Sequence, residues 1–140
     1  MMQSYKGMKN VRVEAVVFDC AHPDQVADFY AKLLGGAVEA DPYGGYNVRL
    51  PGLGMVLGFQ YDPDYQRPAY LGKEAQQPMA HLDIQVCDRT AAVEYALSIG
   101  ARHPEKQFTV PGSGWVPEWT TLLDPDGHPF FLCDEGCEIA

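Results

Sequence analysis

The feature that most constrains this chain is an internal repeat. Ala15-Val16-Val17-Phe18-Asp19-Cys20-Ala21-His22 leads into a helix-like stretch that ends at Leu33-Leu34-Gly35-Gly36-Ala37. His81-Leu82-Asp83-Ile84-Gln85-Val86-Cys87-Asp88 leads into a second one ending at Ile99-Gly100-Ala101. A strand, a helix and a glycine stop thus recur about half a chain apart, which implies two similar modules and a cleft shared between them. Glycine ends both helical stretches because it reaches positive φ at little cost.

The rest of each half fills in around that unit. Val11 to Cys20 is rich in β-branched residues and reads as a strand. Pro23 and Asp24 then open a helix, and Val26, Phe29, Tyr30, Leu33 and Leu34 form its apolar stripe. Short strands follow over Val38–Ala40, Tyr46–Leu50 and Met55–Tyr61, separated by turns such as Asp41-Pro42-Tyr43-Gly44-Gly45. The second half repeats the order: a strand over Met79–Cys87, and a helix over Asp88–Ile99 burying Ala92, Val93, Ala96, Leu97 and Ile99. A short strand is expected within Arg102–Val110, and a hairpin over Trp115–Leu123 and Pro129–Asp134. The expected architecture is α+β, with the order βαβββ twice. One domain spans 11–134, with module one at 11–61, a proline-bearing linker at 62–78 and module two at 79–134. Residues 1–10 and 135–140 are tails.

Bulk properties exclude several classes. Ten basic against nineteen acidic residues give a formal charge of −9, a field that repels nucleic acid and anionic membrane surfaces. No apolar run approaches the roughly 20 residues of a membrane helix. The opening Met1–Lys9 lacks the apolar core of a secretory signal, so a cytoplasmic location is expected. Cys20 and Cys133 fall in strands as small apolar fillers. Cys133 and Cys137 alone make a sparse zinc pattern, and four reduced structural thiols are the expectation. A phosphate-cradling glycine loop, a G-x-S-x-G elbow and an H-E-x-x-H pair are all missing from the sequence.

Particular stretches resemble a known superfamily. They are Val17-Phe18-Asp19-Cys20, Phe29-Tyr30, Leu33-Leu34-Gly35, Leu57-Gly58-Phe59-Gln60, His81-Leu82-Asp83-Ile84 and Asp124-Pro125-Asp126-Gly127-His128-Pro129-Phe130-Phe131-Leu132. Their order and spacing resemble the vicinal oxygen chelate superfamily, which includes glyoxalase I, fosfomycin and bleomycin resistance proteins and extradiol dioxygenases. The small glyoxalase-like and bleomycin-resistance-like branch is the nearest in look. The resemblance implies that the two βαβββ modules form an open, curled mixed sheet with helices on the convex side. It also implies a divalent metal held by two opening and two closing strands, and commonly a homodimer. Carried over position by position, the four ligand places fall on Ala15, Gly58, His81 and Phe131. Only His81 offers a lone pair, so the expectation is a degenerate site with no metal and no other cofactor.

Strand alternation then says what faces the cleft instead. If His81 faces it, so do Asp83 and Gln85, with Ala15, Val17 and Asp19 from the first strand. Val56, Gly58 and Gln60, and Phe131 and Cys133, line it from the closing strands. Trp119, Trp115 and Tyr46 are candidate flat walls. Expected ligand-binding residues are therefore His81, Asp83, Gln60, Trp119, Phe131, Gln85 and Tyr46. Asp83 is expected to be solvated rather than joined to His81, His128 to be a turn residue, His22 and His103 to be surface or helix-start residues, and Glu118 an exposed carboxylate.

The expected function is binding of a small, partly apolar organic molecule. The alternative is a lyase, isomerase or dioxygenase-type enzyme, working through a metal or with His81 as the catalytic base, because an imidazole moves protons readily near neutral pH. A third is a module with a vestigial cleft.

Overall fold

In the computed structural model, residues 2–69, 78–105, 119–135 and 137 are described. Module one contains β1 (Ala15–Cys20), α1 (Pro23–Leu34), β2 (Ala37–Ala40), β3 (Tyr46–Arg49) and β4 (Val56–Tyr61). Its sheet has the order β1-β4-β3-β2. β1 runs parallel to β4, and the other pairings are antiparallel. Module two contains β5 (Leu82–Gln85), α2 (Arg89–Ser98), β6 (Trp119–Leu123) and β7 (Pro129–Cys133). Its sheet has the order β5-β7-β6, with β5 parallel to β7 and β6 antiparallel to β7. The two open mixed sheets repeat one topology, and the fold is α+β as the repeat implied.

Local chemistry sets the boundaries. Proline sits in the first turn of α1, where its missing N–H costs nothing, and Asp24 complements the helix dipole. Gly35, at φ 72°, ends it. The Asp88 side chain caps α2 by accepting from the Ala91 amide at 3.0 Å. Strand ends are shorter than the sequence suggests. Val11 to Glu14 are exposed and outside β1, and His81 stands just before β5 rather than within it. Of the fourth strand of module two, expected within 102–110, the described residues contribute a bridge between Arg102 and Leu123; residues 106–118, which hold Trp115 and Glu118, lie outside the described residues. Leu97, expected in the stripe of α2, is exposed, and Ala96 is the helix's one fully buried residue.

The core is common to both modules. Val26, Phe29 and Tyr30 of α1, Val48 and Leu57 and Phe59 of the first sheet, and Leu122, Phe130 and Leu132 of the second form one buried cluster. Tyr30 stacks on Phe59 with ring centroids 5.4 Å apart. Phe29 and Tyr30 both meet Phe130, at 5.6 and 6.0 Å. Each such buried side chain contributes about 1.5–3 kcal/mol. Module two, with a single buried residue in α2, depends on α1 for its packing.

The cysteine expectation is corrected. Cys87 and Cys137 form a disulfide with Cα atoms 5.4 Å apart, while Cys20 and Cys133 are free. Parallel pairing of β5 and β7 brings the ends of both strands to the same side, and Val86 continues the ladder by donating to the Cys133 carbonyl at 2.9 Å. The cysteines that follow are thereby placed within bridging reach.

Candidate functional site

The alternation of β5 and β7 sorts their side chains cleanly. Leu82, Ile84 and Val86 pack against the core, and Asp83 and Gln85 are exposed on the other face. Phe131 stands opposite Asp83 and Cys133 opposite Gln85. On β6, Trp119 and Thr121 pair with Cys133 and Phe131 and share that face. Three rings form a ladder across the sheet there. His81 stacks on Phe131 at 3.9 Å with 16° between planes, and Trp119 lies parallel to Phe131 at 5.9 Å and 3°.

His81 Nε2 meets Asp83 Oδ1 at 2.9 Å. This corrects the expectation of a solvated Asp83. Strand rise separates the two α-carbons by about 6–7 Å, but both side chains lean along the same face and close the gap. With side chains 39% and 67% exposed, the pair orients the ring more than it stabilises the fold.

On the first sheet, Ala15, Val17 and Asp19 of β1 stand beside Val56, Gly58 and Gln60 of β4. Gln60 Nε2 donates to Asp19 Oδ1 at 2.8 Å. Gly58 is buried, and a Cβ added there would come within 3.1 Å of Val17 Cγ2 and 3.2 Å of Asn47 Oδ1. Tyr46 does not belong to this face. It pairs with Phe59 and packs against the core, while Asn47 pairs with Gly58 and takes the place expected for Tyr46. The alternation Tyr46-Asn47-Val48-Arg49 carried that signal, with apolar residues at the two core-facing positions.

The structure therefore gathers the anticipated residues into two groups: Asp19 with Gln60 on one sheet, and His81, Asp83, Phe131, Trp119 and Gln85 on the other. Between the modules runs an open groove of about 610 Å³. Val17 and Asp19 line one side, Met79 and Ala80 the other, and Asp62, Tyr65 and His128 its end. Among the described residues, no group of three or more His, Cys, Asp or Glu side chains is arranged to hold a metal ion.

At the end of this groove lies a buried polar hub absent from the sequence reading. Asp124 is fully buried and accepts four kinds of hydrogen bond. They come from the Tyr30 hydroxyl at 2.9 Å, His128 Nδ1 at 2.8 Å, and the amides of Asp126 and His128 at 2.9 and 3.0 Å. His128, expected as a turn residue, is buried in the hub, and its Nε2 meets the Asp19 carbonyl at 2.7 Å. His22 gives its amide and Nδ1 to Asp126 at 2.7 and 2.9 Å. Tyr65 donates to the Asp126 carbonyl at 2.8 Å, and Arg67 to that of Pro125 at 2.9 Å. Gly127, at φ 92°, makes the turn possible and lies against the Arg67 stem with no room for a side chain.

Burial dominates the electrostatics of the hub. It drives the Tyr30 and Tyr65 hydroxyls and the Cys20 thiol well above their ordinary values, with the charge of Asp124 adding to each. For His128, burial lowers the imidazolium. The hydrogen bond and charge of Asp124, the Asp19 carbonyl and the charge of Asp126 outweigh it, so the net shift is upward.

The family follows from comparison with known proteins. A glyoxalase-like domain model matches residues 15–133, and the chain belongs to that family, within the vicinal oxygen chelate superfamily. Several solved structures share the fold. A glyoxalase-related enzyme from Fulvimarina pelagi is 18% identical, with 86% of each chain covered and a TM-score of 0.56. An antibiotic-binding protein from a Streptomyces species is also 18% identical, over 91% of this chain and 98% of that one, at 0.55. A genomically encoded fosfomycin resistance protein from Listeria monocytogenes is 13% identical, over 95% and 97%, at 0.60. No curated protein matches the sequence. Among the described residues, no helix is long and apolar enough to cross a membrane.

Proposed function

We propose that this protein binds a flat, partly apolar organic molecule against the ring ladder of the second sheet, without a divalent metal. The observation that carries the reading is the ladder itself. Phe131, at a position the family resemblance gives to a metal ligand, is sandwiched between His81 and Trp119. Aromatic faces with a few oriented polar groups are the make-up of a small-molecule site, and Asp83 and Gln85 supply the polar edge.

The donor set does not fit a divalent ion. Ala15, Gly58 and Phe131 offer no lone pair, and His81 by itself supplies a single donor. At Gly58, Val17 and Asn47 lie 3.1 and 3.2 Å from where the Cβ of a ligating side chain would stand, so both would have to shift by a few tenths of an ångström. An antibiotic-binding protein with this fold agrees with a role in sequestration. The His81–Asp83 pair favours a second reading, a metal-free enzyme in which Asp83 orients His81 as a general base.

Thermal shift and titration with planar heteroaromatics, against saturated analogues of equal size, test the proposal. Planar compounds are expected to bind, and Trp119→Ala to weaken them about tenfold, the loss of one ring contact. Stoichiometric zinc, nickel or iron that disappears in His81→Ala would sink the metal-free reading. Affinity unchanged by Trp119→Ala would remove the ladder from the site. Turnover abolished by both His81→Ala and Asp83→Asn would establish the enzyme.

Assembly as a homodimer belongs to the same reading. Among the described residues, β1 and β5 are edge strands, and Val16 and Val17 of β1 are 37% and 52% exposed. Such edges invite pairing with another copy. Sedimentation should give twice the chain mass, and a Val17→Lys variant should sediment as one chain; a wild-type monomer at all concentrations refutes this. The acidity of the chain argues against nucleic acid or anionic membrane as partners, and a cytoplasmic location completes the proposal.

A further inference from the structure

The joint between the modules is built around one ring whose two nitrogens both face acceptors. Nδ1 of His128 lies 2.8 and 3.0 Å from the two carboxylate oxygens of Asp124. Nε2 lies 2.7 Å from the Asp19 carbonyl and 3.3 Å from the Tyr65 hydroxyl. Tyr65 spends its proton on the Asp126 carbonyl at 2.8 Å, so toward His128 it too is an acceptor. A neutral imidazole has one N–H and would leave one of these contacts without a hydrogen. Only the doubly protonated ring satisfies the geometry.

The two contacts are not equivalent in the fold. Asp124 and His128 belong to the β6–β7 turn of module two, whereas Asp19 is on β1 of module one. The Nε2 bond therefore crosses the joint, while the Nδ1 bond stays within the turn. Loss of a proton gives up whichever bond is weaker. A carboxylate is the stronger acceptor for a ring N–H, so Nδ1 keeps its hydrogen and the bond to β1 is the one that goes. We propose that His128 is a proton-operated latch: charged, it clamps β1 onto the β6–β7 turn, and neutral, it releases the strand that walls the groove.

Every charged or titratable group around the ring bears on this. Asp124 and Asp126 from the turn and the main-chain carbonyl of Asp19 on β1 favour the charged ring, while the Asp19 carboxylate is bonded to Gln60. Arg67, from the segment that follows β4, is a cation on the same turn, bonded to the Pro125 carbonyl. Cys20, Tyr30 and Tyr65 are held neutral by burial and by the same carboxylates. Among the described residues, His22, exposed at the N-cap of α1, binds Asp126 and is the other imidazole at the joint. The sum raises the His128 pKa above its ordinary value near 6.5. With the folded value raised, the clamp is complete below the ordinary value and is lost as pH rises through the folded one.

Nitrogen-15 spectra of the imidazoles, assigned with His128→Gln and His22→Gln variants, give the first reading. The His128 ring should carry two protons at pH 6.5 and lose one only at higher pH. Hydrogen exchange gives the second. The His22 amide, which donates to Asp126 across the joint, should lose about tenfold of its protection, corrected for intrinsic rate, with the His128 midpoint. That step should persist in His22→Gln, read there at the residue's retained backbone amide. A His128 ring with one proton at pH 6.5 overturns the proposal. So does titration of His128 with no change at the His22 amide. Both readings come from the wild-type protein, so they stand even if His128→Gln fails to fold.

Discussion

Replacing Asp124 with alanine is expected to destabilise the protein by about 3–5 kcal/mol, the cost of removing one partner from a buried charge pair. The loss is large because the side chain is fully buried and serves four donors at once. Alanine would strand the Tyr30 hydroxyl, two amides and the His128 ring away from water. For a chain of this length, that corresponds to a fall of about 10–15 °C in Tm. Urea titration and calorimetry read it directly. Asp124→Asn keeps an acceptor but loses the charge, and should fall between the two. A Tm within about 3 °C of wild type for the alanine variant would mean the hub is solvated.

Phe130→Ala should cost about 3–5 kcal/mol, in the range measured for large aromatic truncations in packed cores. Phe130 is fully buried and touches both Phe29 and Tyr30 of α1. Through it the second sheet packs on the helix of the first module. The distinguishing readout is cooperativity. Tryptophan fluorescence reports on module two, and hydrogen exchange at Val26 and Val48 reports on module one. In the variant both should unfold in one transition at lower denaturant. A module two that melts first, leaving Val26 and Val48 protected, would show that the core is not shared.

The sequence revealed most where one periodicity acted alone. In Leu82-Asp83-Ile84-Gln85 the two faces differ so sharply in polarity that alternation sorts them, whereas Phe130-Phe131-Leu132-Cys133 is apolar on both faces and only its parity placed Phe131 and Cys133 on the open one. α1 was equally legible, since Pro23, the Val26-Phe29-Tyr30 stripe and Gly35 all point to one helix. Tyr46 was misplaced because aromaticity was weighed above parity. His128 was out of reach for a different reason. Its partners Asp19 and Tyr65 are 109 and 63 positions away, and a turn rich in Asp, Pro and Gly reads as solvent-exposed by default. The Cys87–Cys137 pairing was hidden likewise, since four cysteines allow several pairings and only the parallel β5–β7 ladder selects one.

The crowding at Gly58 has a consequence for anyone wishing to convert this scaffold into a metalloenzyme. Writing imidazoles or carboxylates into positions 15, 58 and 131 would not be enough, because a Cβ at 58 would stand 3.1 Å from Val17 Cγ2 and 3.2 Å from Asn47 Oδ1, and both neighbours would have to give by a few tenths of an ångström. A working redesign therefore pairs the new ligand at 58 with a smaller residue at 17 or a shorter one at 47, so that the added side chain is met without strain.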